Sequence, residues 1–387
     1  MDIKAMDKAY VANTYNRFPL QLVSGKGSVV KDEQGKEYID LGTGIAVNTF
    51  GMADEAWQQA VTEQLSKFQH TSNLYYTEPC AKLAQMLCER TGMKKVFFSN
   101  SGAEANECAI KVARKYAAEK KGKEYTTIVT LWNSFHGRTI TTLAATGQDV
   151  FHKDFQPLTP GFVHANANDL ADVRAKVAEN KVAAIMLEVV QGEGGVIALD
   201  KDFVQGVAAL CKEQDILLIC DEVQVGNGRS GKLYGYMHYD VMPDIVSTAK
   251  GLCGGLPLGA TMLGEKAEFV LGFSDHGSTF GGNPVCCAGA ISTLSRLDEN
   301  ILQGVTERSG LIFKALEGKK GIKSVTGLGL MLGIETEKPA GEVISQCMEK
   351  GVLVLSAHGK VRLLPALNIP QDLLKKALDV LVEVCGA

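Results

Sequence analysis

The chain has 387 residues, enough for two hydrophobic cores at about 100–200 residues per domain. Its make-up, 45% hydrophobic and 22% charged with 41 Gly and 10 Pro, excludes a fibrous or disordered protein. With 40 basic residues against 44 acidic ones the net charge is −4, which argues against a nucleic-acid surface as the main business of the molecule.

The first expected elements are strands at Ser28–Lys31 and Tyr38–Leu41. Trp57, Val61, Leu65 and Phe68 then recur at helical spacing. Thr77-Glu78-Pro79 reads as a cap with Pro in the first turn, opening a helix through Leu83 and Leu87. Short apolar runs predict strands at Val96–Phe98, Thr127–Leu131, Ala183–Leu187, Ile216–Cys220, Ile245–Ser247 and Thr261–Leu263. Amphipathic stretches separate several of them, for example Phe203, Val207, Leu210 and Cys211. Alternating strands and helices predict an α/β architecture with a large, mostly parallel sheet covered on both faces, whose ligands collect at the carboxyl ends of the strands.

After about Pro284 the pattern changes. A helix from Ala288 to Leu297, strands at Gly329–Ile334 and Val352–Leu355, and a terminal helix from Gln371 read as a smaller α+β domain. The expected division is residues 49–285 for the large domain and 286–387 for the small one, with the segment 1–48 joining the latter.

Met1–Ala5 carries charges in place of an apolar leader, and no apolar run approaches the roughly 18 residues of a membrane helix. A cytoplasmic protein is expected. The ten cysteines lack CxxC spacing and the seven histidines lack HExxH spacing, so no metal site is expected. Cys88, Cys108, Cys211 and Cys220 fall within apolar patterns and read as reduced core residues.

Chemistry-bearing residues gather at the strand ends. Asp221 closes the apolar run Leu217–Cys220, and Lys250 follows Ser247-Thr248-Ala249. An amine that holds an aldehyde as a Schiff base and a carboxylate that keeps a pyridine nitrogen protonated are what pyridoxal phosphate (PLP) requires. Ser99–Asn106 is a small-residue turn opening a helix, which presents free N–H groups to an anion, although Ser and Asn also cap helices that bind nothing. Phe135 can stack on a flat cofactor and Arg138 can clamp a carboxylate; core packing and a surface ion pair are the plainer readings. Glu188 and the glycine-rich Gln191–Gly195 follow another strand. Gly226–Gly231 matches GxGxxG, but no helix pattern follows it, so it reads as a loop. Gly277–Pro284 is a small-residue loop ahead of a helix, with hydroxyls able to meet a phosphate.

In this order, SNSGAEANE from Ser99, FHGRT from Phe135, EVVQGEGGV from Glu188, CDEVQ from Cys220, AKGL from Ala249 and GSTFGGNP from Gly277 resemble the fold-type I, class III PLP-dependent aminotransferases. The likeness extends to Asn13–Leu20, Gly35–Val47 and Val361–Ile369, and so covers nearly the whole chain. It implies that Lys250 tethers PLP, Asp221 pairs with the ring nitrogen, Gln224 reaches the ring hydroxyl and Phe135 stacks on the ring. Gly102 and Ala103, with Ser101 nearby, would bind the phosphate, joined by Thr279 from the partner subunit of a homodimer. Arg138 would hold the α-carboxylate of the substrate with Ser278 beside it, and Tyr15 would line the mouth. Arg362 would bind the distal carboxylate of 2-oxoglutarate, with Glu193 pairing with it when no dicarboxylate is bound. His70–Pro79 and Asn13–Leu20 are most similar to members whose amino donor is N2-acetylornithine; succinylornithine, ornithine and 4-aminobutyrate remain alternatives, as does a PLP-binding protein without catalysis.

Two departures from the family pattern stand out. Gly51-Met52-Ala53-Asp54-Glu55 replaces the usual Gly-His-x-His-Pro, where Asp54 is expected to change the helix cap, and Cys253 replaces a glycine close to Lys250.

Overall fold

The computed structural model describes residues 2–387. Its centre is a seven-stranded sheet in the spatial order Lys95–Ser99, Gly259–Leu263, Ile245–Thr248, Leu217–Asp221, Val182–Leu187, Thr127–Leu131 and Phe162–Ala165. Only Gly259–Leu263 runs against its neighbours; the other pairings are parallel. Val182–Leu187 and Leu217–Asp221 are buried at every position, as near-continuous apolar runs must be when both faces are covered. Successive residues go to opposite sides. Ala184, Met186, Leu217 and Ile219 pack with the helix Gly102–Lys120, whereas Ile185, Leu187, Leu218 and Cys220 face the other, larger core.

The register sets the site. Asp221 lies opposite Ser247 in a parallel pairing, so the carboxyl ends that carry Asp221 and Lys250 emerge side by side.

The chain's last third forms an antiparallel sheet of Ile322–Leu328, Met331–Thr336, Lys360–Leu363 and Leu355–Ala357, packed with the helices Glu299–Leu316, Ala340–Glu349 and Gln371–Gly386. The strands Leu22–Lys26, Val29–Asp32 and Glu37–Asp40 pair antiparallel in turn, and the third of them pairs in parallel with Val352–Leu353. The loop after Asp221 is the seam between this region and the large sheet. Buried Arg229 donates to the carbonyls of Leu330 and Pro365, and Gly329, at φ 58°, lies where an added Cβ would sit 2.5 Å from the Arg229 carbonyl oxygen. Gly226–Gly231 is a turn region, as expected, but one whose arginine ties it to the carbonyls just before Met331–Thr336 and just after Lys360–Leu363.

Some expectations need correcting. The helix expected from Ala288 starts at Pro284, capped by the Asn283 side chain, and ends at Ser295. Thr77 holds the cap position of Glu78–Thr91 without a side-chain capping bond. Cys88 is only half-buried, whereas Cys108, Cys211 and Cys220 are core residues. Asp54 does cap Glu55–Lys67, accepting from the Trp57 amide at 2.9 Å, and also accepts from Arg296 Nη1 at 3.0 Å within an ion pair. Cys253 is accommodated: it is fully buried, its thiol donates to the Cys286 carbonyl, and Trp57 Nε1 donates to its own carbonyl at 2.6 Å.

Candidate active site

A cavity of about 470 Å³ opens at the carboxyl ends of the central strands. Ser101, Gly102, Ala103, Phe135, Arg138, Asp221, Gln224 and Lys250 all line it, together with Asn106, His136 and Glu188. Lys250 is the only lysine among them. The remaining expected residues stand elsewhere. Glu193 and Arg362 lie behind Gln224; Ser278 and Thr279 are in the loop ahead of Pro284; Tyr15, in an irregular segment, is 71% exposed.

Asp221 is fixed from three directions. Its Oδ2 accepts from Asn106 Nδ2 and from His136 Nδ1, each at 2.8 Å, and its Oδ1 accepts from the Val223 amide at 3.0 Å. Burial opposes a charge on His136, but the bond to Asp221 and the nearby carboxylates outweigh it and hold the imidazole above its ordinary pKa. Sequence reasoning missed His136 and Asn106. Their signals were present: His136 adjoins Phe135, and Asn106 falls one turn after Gly102 on the same helix face.

The amino end of Gly102–Lys120 meets the cavity. Ser101 caps it by accepting from the Glu104 amide at 3.2 Å, while Glu104 reaches back to the Asn100 amide at 2.6 Å. The Gly102 and Ala103 amides donate to no group among the described residues, which leaves two donors at a helix terminus facing the cavity. A Cβ on residue 102 would sit 2.6 Å from Val223 Cγ1, so only glycine fits.

Phe135 half-covers one wall. Its amide donates to Glu188 Oε2 at 2.9 Å, and the other Glu188 oxygen accepts from Gly192. Burial, reinforced by Asp221, pushes the Glu188 carboxyl up to about 7. Burial lowers the Lys250 pKa, so its amine is easier to deprotonate than a surface lysine; Glu193 and Asp221 partly resist this. Arg362 Nη1 donates to Glu193 Oε1 at 2.6 Å and to Gln224 Oε1 at 3.2 Å, and only 3% of Arg362 is exposed. Burial opposes charge on Glu193, but Arg362 prevails and lowers its pKa.

Glu222, next to Asp221, faces away from this chemistry. It accepts from the Gly235 and Tyr236 amides at 2.7 Å, and burial pushes its carboxyl up to about 8. An unfolded chain releases that proton near pH 4.3, roughly. Between the two values the folded state holds a proton the unfolded state has lost, so this contribution to stability is intact at low pH and falls as pH rises towards 8. We expect the stability of wild type relative to Glu222→Gln to fall between pH 5 and 8, by at most about 1.4 kcal/mol per pH unit. Chemical denaturation across that range checks it, and a flat difference would contradict the shift.

A lone cavity amine, an anchored buried carboxylate and two free helix-terminal amides on an α/β sheet define a PLP enzyme, and the residues present fit the cofactor's aldehyde, ring nitrogen and phosphate. The chain belongs to the class III aminotransferases: the family model described as "Aminotransferase class-III" matches residues 10–385. It is 50% identical to the acetylornithine aminotransferase of Haemophilus ducreyi, over 99% of this chain and 98% of that one. It is 45% identical to the succinylornithine transaminase of Citrobacter koseri, over 96% and 94%. The ornithine aminotransferase crystal structure from Toxoplasma gondii superposes with a TM-score of 0.95 at 30% identity, covering 99% of this chain and 94% of that one.

Proposed function

We propose that the chain moves the δ-amino group of N2-acetyl-L-ornithine to 2-oxoglutarate, giving N-acetyl-L-glutamate 5-semialdehyde and L-glutamate for arginine biosynthesis, as a cytoplasmic homodimer. The observation that carries this reading is the contrast between two arginines. Arg138, at the cavity, pairs with no carboxylate among the described residues, whereas Arg362 is already occupied by Glu193. One open guanidinium suits a donor with one free carboxylate; a second that can be uncovered suits a dicarboxylate acceptor. The relatives' names favour the acetylated donor, with the Citrobacter koseri protein keeping succinylornithine as the second reading.

PLP, when bound, supplies an electron sink that lets a C–H bond beside the transferred nitrogen ionise. The chain does the rest. Lys250 would tether the cofactor and, when its amine is free, would carry a proton from the donor's Cδ. Asp221, held by His136 and Asn106, would keep a proton on the ring nitrogen. Gly102 and Ala103 would hold the phosphate through their amides, with Ser101 shaping that turn; Phe135 would pack on the ring and Gln224 would meet its hydroxyl. Ser278 and Tyr15 would complete the substrate's surroundings.

A homodimer is supported by the exposed apolar side chains of Leu74, Tyr75, Tyr76 and Phe280, the kind of surface that marks a protein interface. Asn73 ties that segment to the Ser278 and Gly281 carbonyls at 3.0 Å. Thr279, exposed and outside its own chain's cavity, would serve a neighbour's phosphate site.

The test is a donor panel with 2-oxoglutarate, following glutamate formation. Acetylornithine should give the highest kcat/KM. One acyl group is worth about 1–3 kcal/mol, so succinylornithine should follow within about 200-fold. Faster turnover of ornithine or 4-aminobutyrate would overturn the reading.

A further inference from the structure

An arginine that must receive a ligand carboxylate faces a conflict. A protein carboxylate would fix its side chain but neutralise it, and leaving it free costs the entropy of ordering a long, flexible chain at each binding event. Arg138 escapes this by lying against two aromatic rings. Its guanidinium carbon is 4.6 Å from the Phe151 ring centroid and 5.5 Å from that of Phe135. The two rings meet edge to face, 5.8 Å apart and at 76°. A guanidinium held over ring faces is restrained without using up its N–H donors, which stay free to grip a carboxylate.

Phe151 is itself anchored. It sits in the short helix Asp149–His152, and His152 Nε2 lies 2.9 Å from the Leu143 carbonyl and 2.7 Å from that of Thr146. Two carbonyl partners require Nε2 to carry the proton, so His152 donates to the carboxyl end of the helix Ile140–Ala145. The capping box formed by Thr139 and Thr142 fixes the other end of that helix, directly after Arg138. The chain thus returns on itself so that a ring thirteen positions on supports the guanidinium (151 − 138 = 13).

We propose that Phe151 is a positioning residue for substrate binding: its ring, pinned by His152, holds Arg138 with its N–H edge open to the donor's carboxylate. This rests on the reading that Arg138 binds that carboxylate, and the experiment separates the two. The probe is N2-acetylnorvaline, which keeps the carboxylate and acyl group but has no δ-amine to react. Its affinity for the holoenzyme is measured by calorimetry, alongside steady-state kinetics with acetylornithine. Phe151→Leu should weaken analogue binding by about 3- to 30-fold, the range of a cation–π contact, and raise KM by a similar factor with kcat within about threefold. Phe151→Tyr, which keeps the π face, should bind within about threefold of wild type, and His152→Asn should repeat the KM shift without touching the ring.

A Phe151→Leu enzyme that binds the analogue as wild type does, while Arg138→Gln does not, would overturn the proposal and leave the Arg138 reading standing. Equal losses in Phe151→Leu and Phe151→Tyr would overturn it too, because shape and not the π face would then be at work. Wild-type affinity in Arg138→Gln would remove the carboxylate reading and the proposal together.

Discussion

A Lys250→Ala variant should fold and still take up PLP, but should not turn over. Among the described residues Lys250 is the only lysine lining the cavity, so no neighbouring amine can replace it in the proposed roles of tether and proton carrier. Positioned proton transfer alone contributes about 10²–10⁴-fold, and the loss of the covalent hold adds to that. The cofactor should remain detectable because the Gly102 and Ala103 amides, the anchored Asp221 and the Phe135 wall are untouched, although it should leave on dialysis far faster than from wild type. Burial lowers the Lys250 pKa, which makes the free-base form needed for both roles easier to reach than in a surface lysine. Retention is read from absorbance after dialysis, and turnover from glutamate formation. Steady-state activity near that of wild type would end the assignment.

The large sheet was legible because its strands are covered on both faces, which leaves plain apolar runs such as Val182–Leu187. Where coverage is partial the signal fades. Phe162–Ala165 is an edge strand with one fully buried residue, and Ile322–Leu328 has only its first residue buried, so neither stood out. The helix Ile3–Tyr10 carries Ile3, Met6 and Tyr10 at helical spacing but buries none of them, and at eight residues it is too short for that spacing to stand out. At the site, Asp221 and Lys250 could be read as strand-end residues, but the pairing of Glu193 with Arg362 joins positions far apart in the chain and came only from the resemblance. Arg229 was invisible for the same reason: a loop motif cannot say that its arginine will meet the carbonyls of Leu330 and Pro365. Nothing in the sequence singles out Phe151; the fold brings its ring to Arg138.

In the proposed reaction one cavity serves a donor with a single free carboxylate and an acceptor with two, and we propose that the Arg362–Glu193 pair reconciles them. With Glu193 in place, the Arg362 charge would be hidden from the apolar stem of the donor, and a dicarboxylate would have to displace Glu193 to reach it. Nearly three-quarters of Glu193's side-chain surface is covered (29% exposed), against all but 4% of Arg362's, so the acid and not the arginine has room to move. Arg362 is further fixed by Gln224 at 3.2 Å, and its Nε has no partner among the described residues, a donor that a ligand could use. Arg362→Ala should therefore weaken the 2-oxoglutarate half-reaction by roughly 2–5 kcal/mol, the cost of truncating a buried charge pair, and the acetylornithine half by far less. Glu193→Ala should act in the opposite sense, leaving Arg362 uncovered and letting glutamate compete better as amino donor. Single-turnover kinetics of each half-reaction, followed by cofactor absorbance, distinguish the cases. Equal losses in both halves for Arg362→Ala would mean that the arginine holds the strand Lys360–Leu363 in place and recognises no substrate.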